Sequence, residues 1–337
     1  MIRRPPRSTL DRSSAASDVY KRQLETEIEQ ATHHPVAKDL ATEMREFHGW
    51  TIDKLEILRL YLRGGYVRVA GGGSYIDAFA GQGQGAFNGT TFSGSAIVAA
   101  QSEAFGRLHL IEQDQRSHRL LAQRLAELPD KLRARCELHP PGDCNQIIPT
   151  LLDAAVINSD KPCFAFLDPD STQLAWETIE ALAAYKTYTP NPVEPKKPKA
   201  CKIELWILFN THQAIYRLWA DNREKYPETM GADALDHLMG GREAWWDLWE
   251  SGQPSNALLR RYVERLKSLG YQYVLPQPVR DPVDGRVHYY MIHVTDHPSA
   301  LGLMRWAKKQ TGRIYACLLY TSPSPRDRTR SRMPSSA

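Results

Sequence analysis

Between Ser74 and Phe209, short apolar runs alternate with segments of helical periodicity, and this limits the chain to few architectures. The apolar runs are Ser74–Phe79, Leu108–Ile111, Cys136–His139, Cys163–Leu167 and Ile203–Phe209. The helical segments between them are Ser95–Phe105, Gln115–Leu128, Asn145–Val156 and Gln173–Tyr185. Strands separated by helices need crossover connections, which are right-handed, so the pattern predicts a mostly parallel sheet with helices on both faces. Ile203–Phe209 shows no polar alternation, as expected of a strand covered on both sides.

The flanking segments differ. Ala37–Phe47 and Thr51–Arg63 read as helices, the second with Leu55, Leu58 and Leu62 on one stripe. Beyond Phe209, Ala214–Tyr226, Ala232–Trp249 and Asn256–Leu269 read as helices. Tyr271–Val274 and Val287–Thr295 then form an expected strand pair joined through Asp284-Gly285, with a last helix over Ser299–Gln310. An antiparallel pair after five parallel strands distinguishes methyltransferase-type sheets from those of dinucleotide dehydrogenases.

The two ends resemble translated sequencing adapter: Met1–Thr9 and Ser13–Gln23 at one end, Cys317–Asp327 and Ser331–Ala337 at the other. The expected organisation is therefore a non-native, disordered tail over 1–23, one domain over 24–316 and a second such tail over 317–337. Within the domain, 24–70 supplies N-terminal helices and 71–212 a cofactor-binding core. A helical insertion follows over 213–270, then terminal strands and a helix over 271–316.

Charge depends on this division. The first tail carries six Lys/Arg and two Asp, the second four Arg and one Asp, so the formal charge of +4 becomes −3 for the domain. The domain thus lacks the global basic signature of a nucleic-acid binder. It has no run of 18 apolar residues to span a membrane and no recognisable signal peptide, so a cytoplasmic protein is expected. Cys136, Cys144, Cys163 and Cys201 form no CxxC pair and read as reduced thiols.

The densest chemistry lies in Tyr75-Ile76-Asp77-Ala78-Phe79-Ala80-Gly81-Gln82-Gly83. A strand ends there, and Gly81 and Gly83 let backbone approach a ligand. An acid two residues before Phe79 suits a cationic sulfonium nucleoside and would repel a pyrophosphate. The spacing is G-x-G-x-G through Gly85, which departs from the dinucleotide fingerprint. These features point to an S-adenosylmethionine (SAM) site contacting Asp77, Phe79, Ala80, Gly81 and Gly83; the competing reading is a glycine-rich turn with a capping aspartate.

Glu112 ends the second strand, where an acid accepts ribose hydroxyls, or else is a solvated loop residue. Asp143 follows the third strand and would meet an adenine amino group, cap the next helix, or do both. Asp168-Pro169 ends the fourth strand, where open α/β sheets place reactive groups. Asp168 would orient a methyl acceptor or take its proton, unless it is a turn aspartate before proline.

Weaker candidates remain. Lys54 and Trp50 would cover the cofactor or belong to an amphipathic surface. Trp245, Trp246 and Trp249 read as core or a partner-facing patch. His288 and His293 fall on opposite faces of a strand, and no metal is expected. Lys186–Lys202, with four prolines and five lysines, reads as a solvated surface loop or as a basic flap over an anionic substrate.

With Glu112 and Asp168-Pro169, the Asp77–Gly83 run resembles the motif set of class I SAM-dependent methyltransferases acting on nucleobases. The domain also resembles the three-Cys-motif partner protein family. That likeness rests on Lys54 with Tyr61-Leu62, Tyr75–Gly83, Gly94-Ser95, Leu110–Asp114, Phe166–Pro169 with Trp176, and Tyr289–Pro298. It implies a Rossmann-like class I methyltransferase fold, SAM as cofactor and a three-Cys-motif protein as partner. Amine-methylating nucleobase enzymes carry D-P-P and an aromatic where this chain has Asp168-Pro169-Asp170-Ser171. The functional expectations are therefore a SAM-dependent methyltransferase acting on nucleic acid or a partner protein, an inactive methyltransferase-fold module that binds a three-Cys-motif protein, or a nucleic-acid binder using the Lys186–Lys202 loop.

Overall fold

The computed structural model describes residues 44–66, 72–210, 230–254, 256–280 and 285–321, the side chains of 230 and 312–321 excepted. In chain order the principal elements are β1 (Arg45–Glu46), α1 (Gly49–Tyr61), β2 (Ser74–Asp77), β3 (Gln84–Phe87), β4 (Thr90–Ser93), α2 (Ser95–Ser102), β5 (Arg107–Leu110), α3 (Gln115–Ala126), α4 (Asp130–Arg133), β6 (Cys136–Leu138), α5 (Cys144–Asp153), β7 (Cys163–Leu167), α6 (Trp176–Ala184) and β8 (Glu204–Phe209). They continue with α7 (Met230–Met239), α8 (Trp246–Glu250), α9 (Asn256–Ser268), β9 (Tyr273–Arg280), β10 (Val287–Thr295) and α10 (Pro298–Thr321).

Seven strands form one sheet in the order β6-β5-β2-β7-β8-β10-β9. The first five are mutually parallel; β10 runs antiparallel to both β8 and β9. Of the late strand pair, then, only β10 opposes the rest. This is the Rossmann-like class I methyltransferase fold, and the strand order reverses between β2 and β7, where such sheets open a crevice at their carboxyl ends.

Period-two alternation distributes each strand between two cores. Ile76, Ala165, Leu205 and Ile207 face α5, α6, α7 and α9, whereas Tyr75, Phe164, Phe166, Trp206 and Leu208 face α1, α2, α3 and α10. The stripe expected over Thr51–Arg63 is buried, with Leu58 on α1 and Leu62 just past its end fully enclosed.

Several elements depart from the sequence reading. Residues 84–93 form a hairpin whose turn, Asn88-Gly89, has φ of 49° and 78°. Asn-Gly supplies the positive φ values that such turns require. β1 joins this hairpin through parallel pairing with β3, so the helix expected over Ala37–Phe47 gives way to a strand at Arg45–Glu46. The helix expected over Ala232–Trp249 breaks at Gly240-Gly241, where φ is 77° and 116°. β9 extends to Arg280 through Pro276 and Pro278; as the outermost strand it can lack those two N–H donors. The helix expected over Ala214–Tyr226, the Asp284 half of the turn, residues 37–43, the 1–23 tail and the 317–337 tail beyond Thr321 lie outside the described residues, while α10 itself continues to Thr321. Among those described, Cys136, Cys144, Cys163 and Cys201 are free thiols.

Candidate functional site

The loop leaving β2 turns sharply because Gly81 and Gly83 adopt φ of 61° and 82°, a region that costs other residues energy. Glu112, just past β5, secures the turn: its Oε2 accepts the Gly81 N–H at 2.7 Å, and its Oε1 accepts the Asp114 N–H at 2.8 Å. From α3, the buried Arg124 guanidinium donates to the Gln82 carbonyl. A Cβ on Gly83 would approach Leu121 to 2.9 Å, whereas one on Gly81 would meet nothing within 4 Å. Gly83 is thus a packing glycine, and Gly81 borders open space.

Two adjoining cavities open here. The larger, of about 640 Å³, is lined by Phe79, Gly81, Glu112, Ser117, Asp143 and Asn145 among others. The smaller, of about 290 Å³, is lined by Phe79–Gln84, Ser95, Lys54, Asp168, Pro169 and Tyr289 among others. Phe79, Gly81, Gln82 and Asp168 belong to both walls. The sheet therefore brings Phe79, Ala80, Gly81, Gly83, Glu112, Asp143, Asp168 and Pro169 together around one cleft.

Asp77 is placed differently. It is fully buried and lines neither cavity. Tyr75 donates its hydroxyl to Oδ2 at 3.3 Å, and no cation is paired with the carboxyl among the described residues. Burial pushes the carboxyl up to about 7 and the nearby Asp168 charge adds to this, against hydrogen bonds from Ser95, the Phe79 amide and Tyr75. Its carboxyl thus interacts with Ser95 and Asp168, both of which face the smaller cavity. A buried carboxylate lacking a cation is costly, and a positive group bound in front of it would relieve that cost.

Asp143 caps α5, accepting the Asn145 N–H at 2.9 Å, and it also faces the larger cavity. The cap reading is met. Asn145 Oδ1 in turn accepts from the Ala175 N–H and Thr178 hydroxyl, tying α5 to α6 at the cavity floor.

Asp168 is paired: Lys54 Nζ on α1 lies 2.5 Å from its Oδ2, with the Lys54 side chain 9% and the Asp168 side chain 19% exposed. Lys54 also sits 5.7 Å from the centroid of the Tyr289 ring, whose hydroxyl donates to the Trp50 carbonyl. At the mouth, Trp50 stacks on His48 at 4.5 Å and on His288 at 4.2 Å. Arg45 reaches Asp170 at 3.3 Å. Arg124 and Arg45 are absent from the sequence-based candidates, and Tyr289 enters them only within the family likeness. Arg124 carried a usable signal, since it shares the buried stripe of α3 with Leu120, Leu121 and Leu125.

Other candidates lie elsewhere. Lys186–Lys202 connects α6 to the start of β8, at the end of the sheet opposite the cavities, and none of its residues lines either one. The loop closes on itself through a Thr189–Ala200 bridge, and Lys186 and Lys202 donate to the carbonyls of Lys161 and Leu269. The flap reading fails on position. Trp245 is core, while Trp246 and Trp249 are partly buried, pack against that core and stack on each other at 4.8 Å.

No family model and no curated protein matches this chain. Among solved structures, it is similar to a conserved hypothetical protein of Streptococcus pyogenes (19% identity, 42% of this chain and 69% of the other, TM-score 0.28). It is also similar to the methyltransferase domain of a bacterial CtHen1 (11% identity, 73% and 100%, TM-score 0.40) and to M. jannaschii TYW2 in complex with AdoMet (10% identity, 76% and 78%, TM-score 0.36).

Proposed function

We propose that this chain is a SAM-dependent methyltransferase-like protein that binds SAM in the cleft between β2, β5 and β7. The observation that carries the reading is Glu112, past β5, fastened to the Gly81 N–H past β2, beside open space at the carboxyl ends of the strands. Glu112 and Asp143 would hold the nucleoside in the larger cavity, and Gly81 would admit it to close range. The buried Asp77 carboxyl behind Ser95, once ionised, supplies negative potential toward the cationic end. When bound, SAM supplies a methyl group on an already activated sulfonium.

The smaller cavity would take the acceptor. Asp168 lies at the wall shared by both cavities, so it is positioned to orient an acceptor and remove its proton, with the Lys54 ammonium paired to one carboxylate oxygen. Nucleic acid and a partner protein both remain acceptor classes for this reading. The resemblance to three-Cys-motif partner proteins adds a three-Cys-motif protein as the expected partner.

One observation favours a second reading, an inactive module serving that partner. Asp168 is already satisfied by Lys54, and Asp170-Ser171 replaces the second proline and aromatic of amine methylators. Calorimetric titration of the purified chain with SAM tests the first reading. Saturable binding lost in Glu112→Ala supports it; absence of binding removes both cofactor and reaction.

A further inference from the structure

The parallel register of β5 and β6 pairs His109 with Glu137 across the strands, and His139 follows two residues later on the same face. One ligand atom from each of the three lies within 4.8 Å of the other two. His109 Nδ1 is 3.2 Å from His139 Nε2 and 3.6 Å from Glu137 Oε2. Two nitrogens bound to one tetrahedral ion through bonds of about 2.05 Å stand roughly 3.3 Å apart. We propose that His109, Glu137 and His139 form a binding site for a divalent transition-metal ion of the zinc or cobalt class.

The donor set decides the class. Two imidazoles and one carboxylate suit zinc, cobalt or nickel better than magnesium or calcium, which prefer oxygen ligands throughout. His109 is fully enclosed and His139 nearly so, which holds the two imidazoles in fixed positions beside the Glu137 carboxylate. The His139 carbonyl accepts from His118 Nε2 at 2.8 Å, which fixes the strand end carrying that ligand. The Glu137 side chain is 43% exposed, so the ion has a route in from solvent and a position for a water ligand. Two features limit affinity. Arg107 competes for Glu137 at 3.6 Å from its exposed position. His109 Nε2, buried without a partner among the described residues, would carry the ring hydrogen unpaired.

The site is distinct from the cleft and does not depend on the SAM reading. It would clamp edge strand β6 onto β5, and the chain leaving His139 passes directly to Asp143 at the cavity wall. His109 is distant in sequence from Glu137 and His139, and only the β5–β6 register brings the three together, whereas His288 and His293 are separated by the strand itself.

The test uses the full chain, tag-free and stripped with EDTA, titrated with zinc chloride by calorimetry and with cobalt chloride by visible absorption. One ion per chain is expected, with a cobalt d–d band and a raised melting temperature. His139→Ala should weaken binding at least about 100-fold, the upper end of what losing even an outer partner costs. Glu137→Gln, at an exposed position where the fold is retained, should remove the band and the melting shift. Absence of stoichiometric binding, or binding that both variants retain, overturns the proposal.

Discussion

Lys54 Nζ and Asp168 Oδ2 stand 2.5 Å apart although 114 residues separate them, and this pair is where α1 is joined to the carboxyl end of β7. If Asp168 removes or orients the acceptor proton, Asp168→Asn should lower methyl transfer by about 10²–10⁴-fold. SAM affinity should change less than about threefold, since each such factor is well under 1 kcal/mol. Lys54→Met should reduce transfer in the same direction and weaken folding by about 3 kcal/mol by stranding a partly buried carboxylate. Transfer rates paired with SAM titration separate these outcomes. Unchanged turnover in Asp168→Asn would sink its catalytic role and leave the binding-module reading.

Asp77 makes ligand-free stability depend on pH in a specific sense. Its folded pKa is raised to about 7 from 3.8, so between these values the folded state holds a proton that the unfolded state has lost. Stability therefore falls as pH rises from about 4 to 7, and above 7 the loss is complete. Thermal melts of the wild-type chain should decline over that window more steeply than those of Asp77→Asn. A cation bound before the carboxylate would favour its ionised form, so SAM affinity should increase between pH 5 and 7 in the wild type alone. Parallel melting profiles for the two proteins would remove Asp77 from this role.

The two glycines of the turn should separate folding from binding. Gly81→Ala incurs about 1 kcal/mol for the left-handed conformation, with no clash, because nothing lies within 4 Å. Its methyl group would project into the cleft, so SAM binding should drop at least tenfold in a protein that melts nearly normally. Gly83→Ala adds a 2.9 Å contact with Leu121 to the same strain, and about 2–3 kcal/mol of stability should be lost in urea titration. Equal melting temperatures with equal SAM affinity in Gly81→Ala would show that the space beside it is not the ligand's.

Most of the sheet was legible because each strand carries its own signal. Cys163–Leu167 and Leu205–Phe209 are apolar throughout and end at loops, and both cores claim alternate residues. Tyr75–Gly83 was legible for the same reason, since strand, acid and glycines are contiguous. What escaped depends on pairing across the chain. The β3–β4 hairpin is short, half-buried and polar, so periodicity passed over it despite Asn88-Gly89. β9 was cut short at Val274 because its prolines exclude it from a sheet interior but not from an edge. Lys54 was visible only as an amphipathic helix residue; its partner is set by how α1 packs over β7. His109 and Glu137 become neighbours only through strand register.

A last prediction concerns the opposite end of the sheet, where function and fold come apart. Glu204, at the start of β8, accepts hydrogen bonds from Tyr61 on α1 and from His293 Nε2 on β10 at 2.7 Å, and Thr295 donates to its second oxygen at 3.3 Å. All four residues are buried. Replacing Glu204 by alanine leaves three buried polar groups without their acceptor, each worth about 1–3 kcal/mol. Because strain and relaxation overlap, the expected loss is about 3–5 kcal/mol, read as a lowered urea midpoint with unchanged slope. Glu204→Gln keeps one acceptor oxygen and should lose less than half as much. Neither cavity includes this cluster, so Glu204→Gln should bind SAM as the wild type does; weakened binding would mean that this end of the sheet is coupled to the cleft.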